Sequence, residues 1–384
     1  MKKILLTLTL IFTLTPAQSF FNLHGLGEIS QPVDAWNAAT GNPFALSVAN
    51  PGTFIDLPQT SLKISLLTIG VIGRQNNFTR ALGSVKPGAF YGSVPLPTRT
   101  RILLGVDSRF NQDFDIWSES LSDTTYRYHI IGRGGIYSLN AGLAQSFLSH
   151  FCIGAQFHQL VGGSRENWHF CTPEGSIATD TIEIDYSAHN LRFGTSARFS
   201  IITIATSYDL PLNILARRSK LIHGVTTDSL QTYRVELPSV LTFGLSAGPY
   251  HQTRLNLGLE LRPWSGAKII NDTNDIRSNY RNTWRGTIGV EYELFPEHPV
   301  RLGYSYGDWY CDNKSTGKPI TERGVHLGTG IPIAKFGALD IAGEILFRSS
   351  LTRPDIILRE TAGRLTLTLA YQETWAKRTR RWGY

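Results

Sequence analysis

The residues of this 384-residue chain that could do chemistry are charged side chains on one face of alternating segments. Lys63, Arg192, Arg198, Arg254, Glu260, Arg262, Arg285, Glu291, Glu293, Arg301, His326, Asp340 and Glu344 all take the polar side of stretches whose other side is apolar. Gathered in one enclosure, they would make a polar conduit or a path for an anionic molecule. The alternative is a set of ion pairs that holds a narrow enclosure together and orders water. Both signs of charge occur, so strong ion selectivity is not implied. Catalytic signatures are missing. There is no G-x-S-x-G, and His150, His158 and His169 lack metal-ligand spacing. The run Asn271-Asp272-Thr273-Asn274-Asp275 hints at a calcium loop but lacks the 12-residue pattern with its terminal Glu. Enzyme chemistry, cofactors and metals are therefore not expected.

The elements that must position these charges have a period of two. In Arg254–Arg262, Leu255, Leu257, Leu259 and Leu261 share one face, and Arg254, Asn256, Gly258, Glu260 and Arg262 share the other. A strand turns successive side chains to opposite faces, so this is a strand with one apolar and one polar side. Arg364–Tyr371 and Trp284–Glu293 repeat the pattern. Fourteen such segments are expected, at about 60–73, 84–95, 99–112, 130–148, 149–163, 179–199, 200–209, 232–248, 251–264, 281–295, 297–310, 322–334, 335–349 and 362–375. Short connections alternate with long ones, the long ones at Arg74–Gly83, Gln112–His129, Gly163–Ala178, Leu210–Gln231, Ser265–Tyr280, Cys311–Thr321 and Ser350–Ala362. Even strand number, with short turns at one end and long loops at the other, is the signature of an outer-membrane barrel. The expected fold is thus all-β, a transmembrane antiparallel β-barrel of about fourteen strands. Its apolar face meets lipid, and the charged residues named above face the lumen. Aromatic residues cluster near strand ends, at Tyr304 and Tyr306 or Trp309 and Tyr310, as interfacial girdles do.

Composition agrees. Charged residues are 17% of the chain, below the ~25% of average soluble domains. No apolar run reaches the roughly 18 residues of a spanning helix, which excludes a helical membrane protein and leaves strands. The formal charge is +7, of which Lys2 and Lys3 lie in a removable leader, so nucleic acid is not an expected partner. Residues 1–19 form that leader: a basic start, an apolar stretch over Ile4–Leu14 and the small-x-small site Ala17-Gln18-Ser19, with Thr15-Pro16-Ala17 as a competitor. Export follows. Of three cysteines, Cys171 and Cys311 fall in expected external loops, which makes them a candidate disulfide, whereas Cys152 sits in a strand.

Residues 20–59 break the strand pattern. They are rich in Gly and Pro yet carry Phe44, Leu46, Val48, Phe54, Ile55 and Leu57. An apolar segment without a place in a lipid-facing sheet should pack inside the barrel, as a plug or hatch. The barrel then occupies 60–375, and 376–384 is a basic periplasmic tail with Lys377, Arg378, Arg380 and Arg381.

The layout resembles the FadL-like outer-membrane transport family. The resemblance rests on A-L-S-V-A-N-P-G, with Asn50-Pro51-Gly52 just before the first strand, where Gly52 replaces the family's Ala; a second Asn-Pro lies at Asn42-Pro43. Glu236-Leu237-Pro238-Ser239 with Leu241–Leu245, and Gly134–Leu139 with Gly142-Leu143-Ala144, look like family strand entries. The resemblance implies a hatch-plugged barrel in the bacterial outer membrane that carries hydrophobic compounds such as long-chain fatty acids. Cargo is captured near the hatch and released sideways through a gap in the wall. On that reading Phe44, Val48, Asn50, Pro51, Phe54 and Leu57 bind substrate, in an apolar pocket beside a broken wall strand. Implied partners are outer-membrane lipid, lipopolysaccharide, a hydrophobic small-molecule ligand and a periplasmic or secretion partner. The long external helical insert of well-known members is not found, and the tail resembles PorV-like relatives that serve protein secretion. A secretion scaffold would have a sealed lumen and an exposed partner surface; an unselective porin would have an open water path.

Overall fold

The computed structural model describes residues 19–374 except 24, 30–32, 54–58, 76–77, 97, 120–126, 148–149, 173–174, 223–224, 271–279, 313–315, 335–336 and 354–355. The leader up to residue 18, Phe54, Leu57, the run 271–275 and the basic tail 376–384 therefore lie outside the described residues.

The N-terminal segment carries a short strand, β1 (Glu28–Ile29), and a helix, α1 (Ala35–Ala39). The wall begins with β2 (Gln59–Gln75), β3 (Phe78–Pro95), β4 (Thr100–Asn111), β5 (Phe114–Glu119), β6 (Arg127–Phe147), β7 (Phe151–Thr172) and β8 (Gly175–Phe199). It continues with β9 (Ile202–Asp209), β10 (Leu212–Ile222), β11 (Val225–Leu237), β12 (Val240–Tyr250), β13 (Thr253–Pro263) and β14 (Lys268–Ile270). It ends with β15 (Asn282–Phe295), β16 (His298–Asp312), β17 (Pro319–Ala334), β18 (Gly337–Arg353) and β19 (Ile356–Thr374). These make fourteen spans, because β4–β5, β9–β10, β11–β12 and β13–β14 are each one span in two pieces. Neighbours pair antiparallel, and β19 closes on β2 from Leu358↔Gln75 to Thr374↔Gln59. Closure removes every sheet edge except where a span breaks, as a membrane requires.

The alternation read from sequence is realised on the wall. Leu104, Leu143, Leu302 and Leu327 are each more than half exposed on the outside, while Ser138, Asn140, Ser305 and His326 are buried toward the interior. Among the described residues, no helix is long and apolar enough to cross a membrane. The strands run longer than expected. Most of the residues in the connections Arg74–Gly83, Gly163–Ala178, Leu210–Gln231 and Ser350–Ala362 are paired strand, and both ends of Cys311–Thr321 are strand too. Polar residues occupy both faces there, as at Arg217, Arg218 and Lys220 opposite Asp185, Ile184 and Ile182, so the apolar period ends before the hydrogen bonding does.

The described residues of 19–53, called the hatch below, touch strands from opposite sides of the ring. Ser19 Oγ donates to both Glu360 oxygens (3.0 and 2.9 Å) and the Phe20 N–H to one of them (2.7 Å), on β19. Asp34 caps α1 by accepting from the Asn37 N–H (2.8 Å) and pairs with Lys63 of β2 (2.6 Å). Ala35, Ala38 and Ala39 pack on Ala342 of β18. Wall glycines allow the hatch backbone to approach: a Cβ on Gly303 would meet Gly41 N, and one on Gly194 would meet the Asn50 side chain.

The candidate disulfide is not formed; none of the three cysteines is in a bridge. Cys171 lies on β7 opposite Arg127 and Ser176, and Cys311 is buried on β16 beside Tyr310. Both positions belong to strands on different parts of the ring rather than to loops.

Candidate functional site

The expected lumen residues face inward and pair. Arg301 binds Glu291 (2.6 Å) and Asp340 (2.7 Å); Arg254 binds Glu291 (3.2 Å). Arg262 binds Glu260 (2.8 Å), His326 lies 3.0 Å from Glu344, and Arg285 is 3.7 Å from Glu322. Arg192 is fully buried and grips Asp209 with two nitrogens, one of them at 2.8 Å. Glu293 is exposed, and Arg198 sits at the open inner mouth with Arg254, Trp36 and Thr53. The densest cluster was missed in the sequence: Arg348 contacts Glu28 of the hatch, Glu322 (2.6 Å) and Glu360 (2.8 Å), and Arg364 also reaches Glu28. Parity would have found Arg348, which is four residues beyond Glu344 on the same face. This is the ion-paired interior rather than an open conduit.

Several spaces border the hatch, among them the open one of about 320 Å³ beside Trp36, Leu46 and Thr53 and a smaller one against the wall of β2–β4. This smaller cavity, of about 80 Å³, lies between Val33 and Phe44 of the hatch, Leu67 of β2, Ala89 of β3, Phe110 of β4 and Leu237 of β11. Phe44 lies under the Arg192 guanidinium, 4.7 Å from ring centre to carbon. Of the other expected ligand-binding residues, Val48, Asn50 and Pro51 do not line this cavity, and Phe54 and Leu57 lie outside the described residues. Val48 packs against Leu103, Ala144 and Cys152, and also near Ala89 and Tyr91. Asn50 is fully buried and cross-links the hatch: its amide nitrogen donates to the Ala45 and Thr206 carbonyls (2.6 and 3.1 Å), and its oxygen accepts from the Gly52 N–H (2.9 Å). Pro51 lies against Gly154 of β7. The cavity is lined by four cations, Lys86, Arg109, Arg192 and Arg262, and three carboxylates, Asp107, Asp209 and Glu260, and every one of the cations contacts a carboxylate of the protein. Arg109 and Arg192 share Asp209, Arg262 pairs with Glu260, Lys86 pairs with Asp113, and Asp107 accepts from the Tyr91 hydroxyl (3.0 Å).

The cavity abuts a break in the wall. β3 pairs with β4 only from Ala89↔Asp107 to Pro95↔Arg101. Beyond that, β4 leaves β3, and Phe110 and Asn111 pair instead with Ile29 and Glu28 of the hatch. After Gln112 and Asp113 the span resumes as β5, which pairs only with β6. Among the described residues, no strand pairs with residues 78–88 of β3 on that side. Pro87, which has no N–H, lies on this edge, a place proline tolerates. The bend is held from β6. Gly134 and Gly135 take positive φ (119° and 159°), the Gly134 N–H donates to Asp113 Oδ1 (2.8 Å), and a Cβ on Gly135 would meet the Phe110 carbonyl. The Gly134-Gly135 pair quoted for the family resemblance is therefore the support of the break.

No protein-family model matches this sequence, and no curated protein does. Solved structures do match. A Pseudomonas aeruginosa FadL homologue aligns over 94% of this chain and 99% of its own at 11% identity, with a TM-score of 0.62. The Pseudomonas putida toluene transporter TodX aligns over 93% and 100% at 14% identity (TM-score 0.60), and the Ralstonia pickettii toluene transporter TbuX over 90% and 99% at 13% (TM-score 0.50). At such identities the likeness is one of fold, and it spans the whole barrel. The chain has the fold of the FadL-like outer-membrane transport barrels.

Proposed function

We propose that this protein is a bacterial outer-membrane channel for hydrophobic small molecules, exported through its leader. Cargo is held in the cavity beside Phe44 and leaves sideways through the break between β3 and β5 into the membrane. The observation that carries this reading is the contact between the two features: Lys86, Pro87 and Gly88 of the unpaired β3 edge line the same cavity as Phe44. The interior along the barrel axis is filled by the hatch and by ion pairs, which argues against an open porin. The apolar belt would meet lipid and lipopolysaccharide.

Within the expected class of cargo, which includes long-chain fatty acids, the cavity favours compact neutral molecules. About 80 Å³ does not enclose an extended acyl chain, and each cation of the lining is already engaged by a carboxylate of the protein. Two of the structural relatives named above are toluene transporters, which agrees with this preference. The test is saturable binding of tritiated toluene and of tritiated oleate to the refolded barrel, beside Phe44→Asp. We expect saturable toluene binding that Phe44→Asp removes. Binding of neither molecule, by a barrel shown to be folded, sinks the transport reading and turns the search to a secretion partner.

A further inference from the structure

The edge of β3 has no ladder over residues 78–88, yet it is not free of contacts. Two ion pairs cross the break. Lys86 reaches Asp113 and also donates to Asn111 Oδ1 (2.8 Å), and Arg80 Nη2 lies 2.8 Å from Asp115 Oδ1. The two acids sit in and just after the bend, and both are buried, Asp115 completely. Arg80 also lies over the Trp117 ring at 5.7 Å. Six residues separate the two cations, which is about 20 Å along an extended strand. Where neighbouring strands pair along their length, backbone hydrogen bonds hold the wall and offer no way to open locally. Here side chains alone span the break, and side chains can swing aside without unzipping a strand.

We propose that Lys86–Asp113 and Arg80–Asp115 form a two-rung ionic latch across the wall break, and that opening of the Lys86 rung sets how fast cargo leaves the cavity for the bilayer. This rests on the transport reading above. The Lys86 rung governs exit because Lys86 lines the cavity and Arg80 does not. The Arg80 rung keeps the outer part of the break in register. Asp113 is unsuitable as a test site because it also accepts from the Gly134 N–H. The β3 side can be changed without touching the bend.

The exit rate is read from tritiated toluene preloaded on the full chain in lipid nanodiscs and chased into unlabelled vesicles. Lys86→Met should raise it about tenfold and Arg80→Met about twofold. A Lys86→Cys/Asn111→Cys pair joined by a short reducible bis-thiol linker should hold cargo until the linker is reduced; the wild-type chain treated with the same linker is the control. Wild-type exit rates in Lys86→Met, or in the linked pair before reduction, overturn the proposal. If toluene does not bind at all, the transport reading fails, and the latch is read instead from spin labels at the exposed positions Val85 and Tyr137 on either side of the break. There the Arg80→Met/Lys86→Met double variant should broaden a narrow distance distribution. An unchanged distribution overturns the latch.

Discussion

Asn50→Ala should loosen the hatch while leaving the barrel intact. In the folded chain the Asn50 amide is fully buried and makes three hydrogen bonds: to the Ala45 carbonyl, to the Thr206 carbonyl on β9, and from the Gly52 N–H. Alanine removes all three and leaves the Gly52 donor and the Ala45 acceptor without partners where water does not reach. Each orphaned buried group costs about 1–3 kcal/mol, so the hatch loses about 3 kcal/mol of its stability against local opening. At about 1.4 kcal/mol per tenfold, its open population rises about 100-fold. Hydrogen exchange by mass spectrometry reads this directly, since exchange of a locally opening segment follows its opening free energy. Peptides covering residues 44–53 should exchange about 100-fold faster than in wild type, and β16 peptides at the wild-type rate. Asn50→Asp keeps the acceptor for Gly52 and loses the two donated bonds, so its effect should fall between. A change below tenfold in the hatch would refute the cross-link argument. Equal acceleration in β16 would show that Asn50 holds the barrel rather than the hatch.

Arg348→Ala should lower the stability of the whole barrel by about 3–5 kcal/mol, because Glu28, Glu322 and Glu360 then lose their shared cation in a buried site; urea unfolding in detergent micelles checks it. Gly194→Val should eject residues 50–52 from the wall without unfolding the barrel, because the new side chain would stand where the Asn50 side chain and the Gly52 N–H now lie. Proteolysis within the hatch, together with unaltered heat-modified mobility of the barrel on a gel, is the expected result. Phe44→Asp should reduce toluene binding at least tenfold with little change in barrel stability, since Phe44 borders the cavity and belongs to no wall strand; titration of the labelled ligand decides it.

The wall was legible because lipid forces one face of every span to be apolar, and a period of two survives any detail of packing. Fourteen spans follow from it, and so do the inward positions of Arg192, Arg262, Arg301 and Glu344. The reading stopped where lipid stops. Arg348 keeps the polar parity of the expected segment 335–349, with Ile345 and Phe347 exposed on the other face, but its partners Glu28 and Glu360 fell outside every expected strand, so the densest ion cluster escaped notice. Two of the four broken spans carry a visible cause, Pro211 after Asp209 and Pro238 after Leu237. The break that matters most, at Gln112 and Asp113, carries none of its own; its cause is the glycine pair on the next span and the hatch strand that captures Asn111. Asn50 illustrates the opposite failure. Its motif marked it as important, and motif importance was read as ligand contact, whereas its amide is consumed by the hatch's own backbone.

On the proposed transport reading, the ion-paired lumen and the wall break are parts of a single route. Moving a neutral molecule along the barrel axis would require separating pairs such as Arg301 with Glu291 and Asp340, or Arg192 with Asp209, in a buried setting. Removing one partner of such a pair costs several kcal/mol because the other charge is left buried and unmatched. A hydrophobic cargo brings no hydrogen bonds to compensate. The sideways route asks for less. It starts in a space that is already apolar on the Val33, Phe44 and Phe110 side, crosses an edge that has no ladder to break, and ends in lipid, where the cargo is most soluble. Only the side chains of Lys86 and Arg80 stand across it, and each keeps a polar tip on a flexible stem that can turn away while its strand stays paired to β2. A barrel that locks its centre with charges and leaves one seam to side chains has separated the work of staying closed to water from the work of letting oil-like molecules pass.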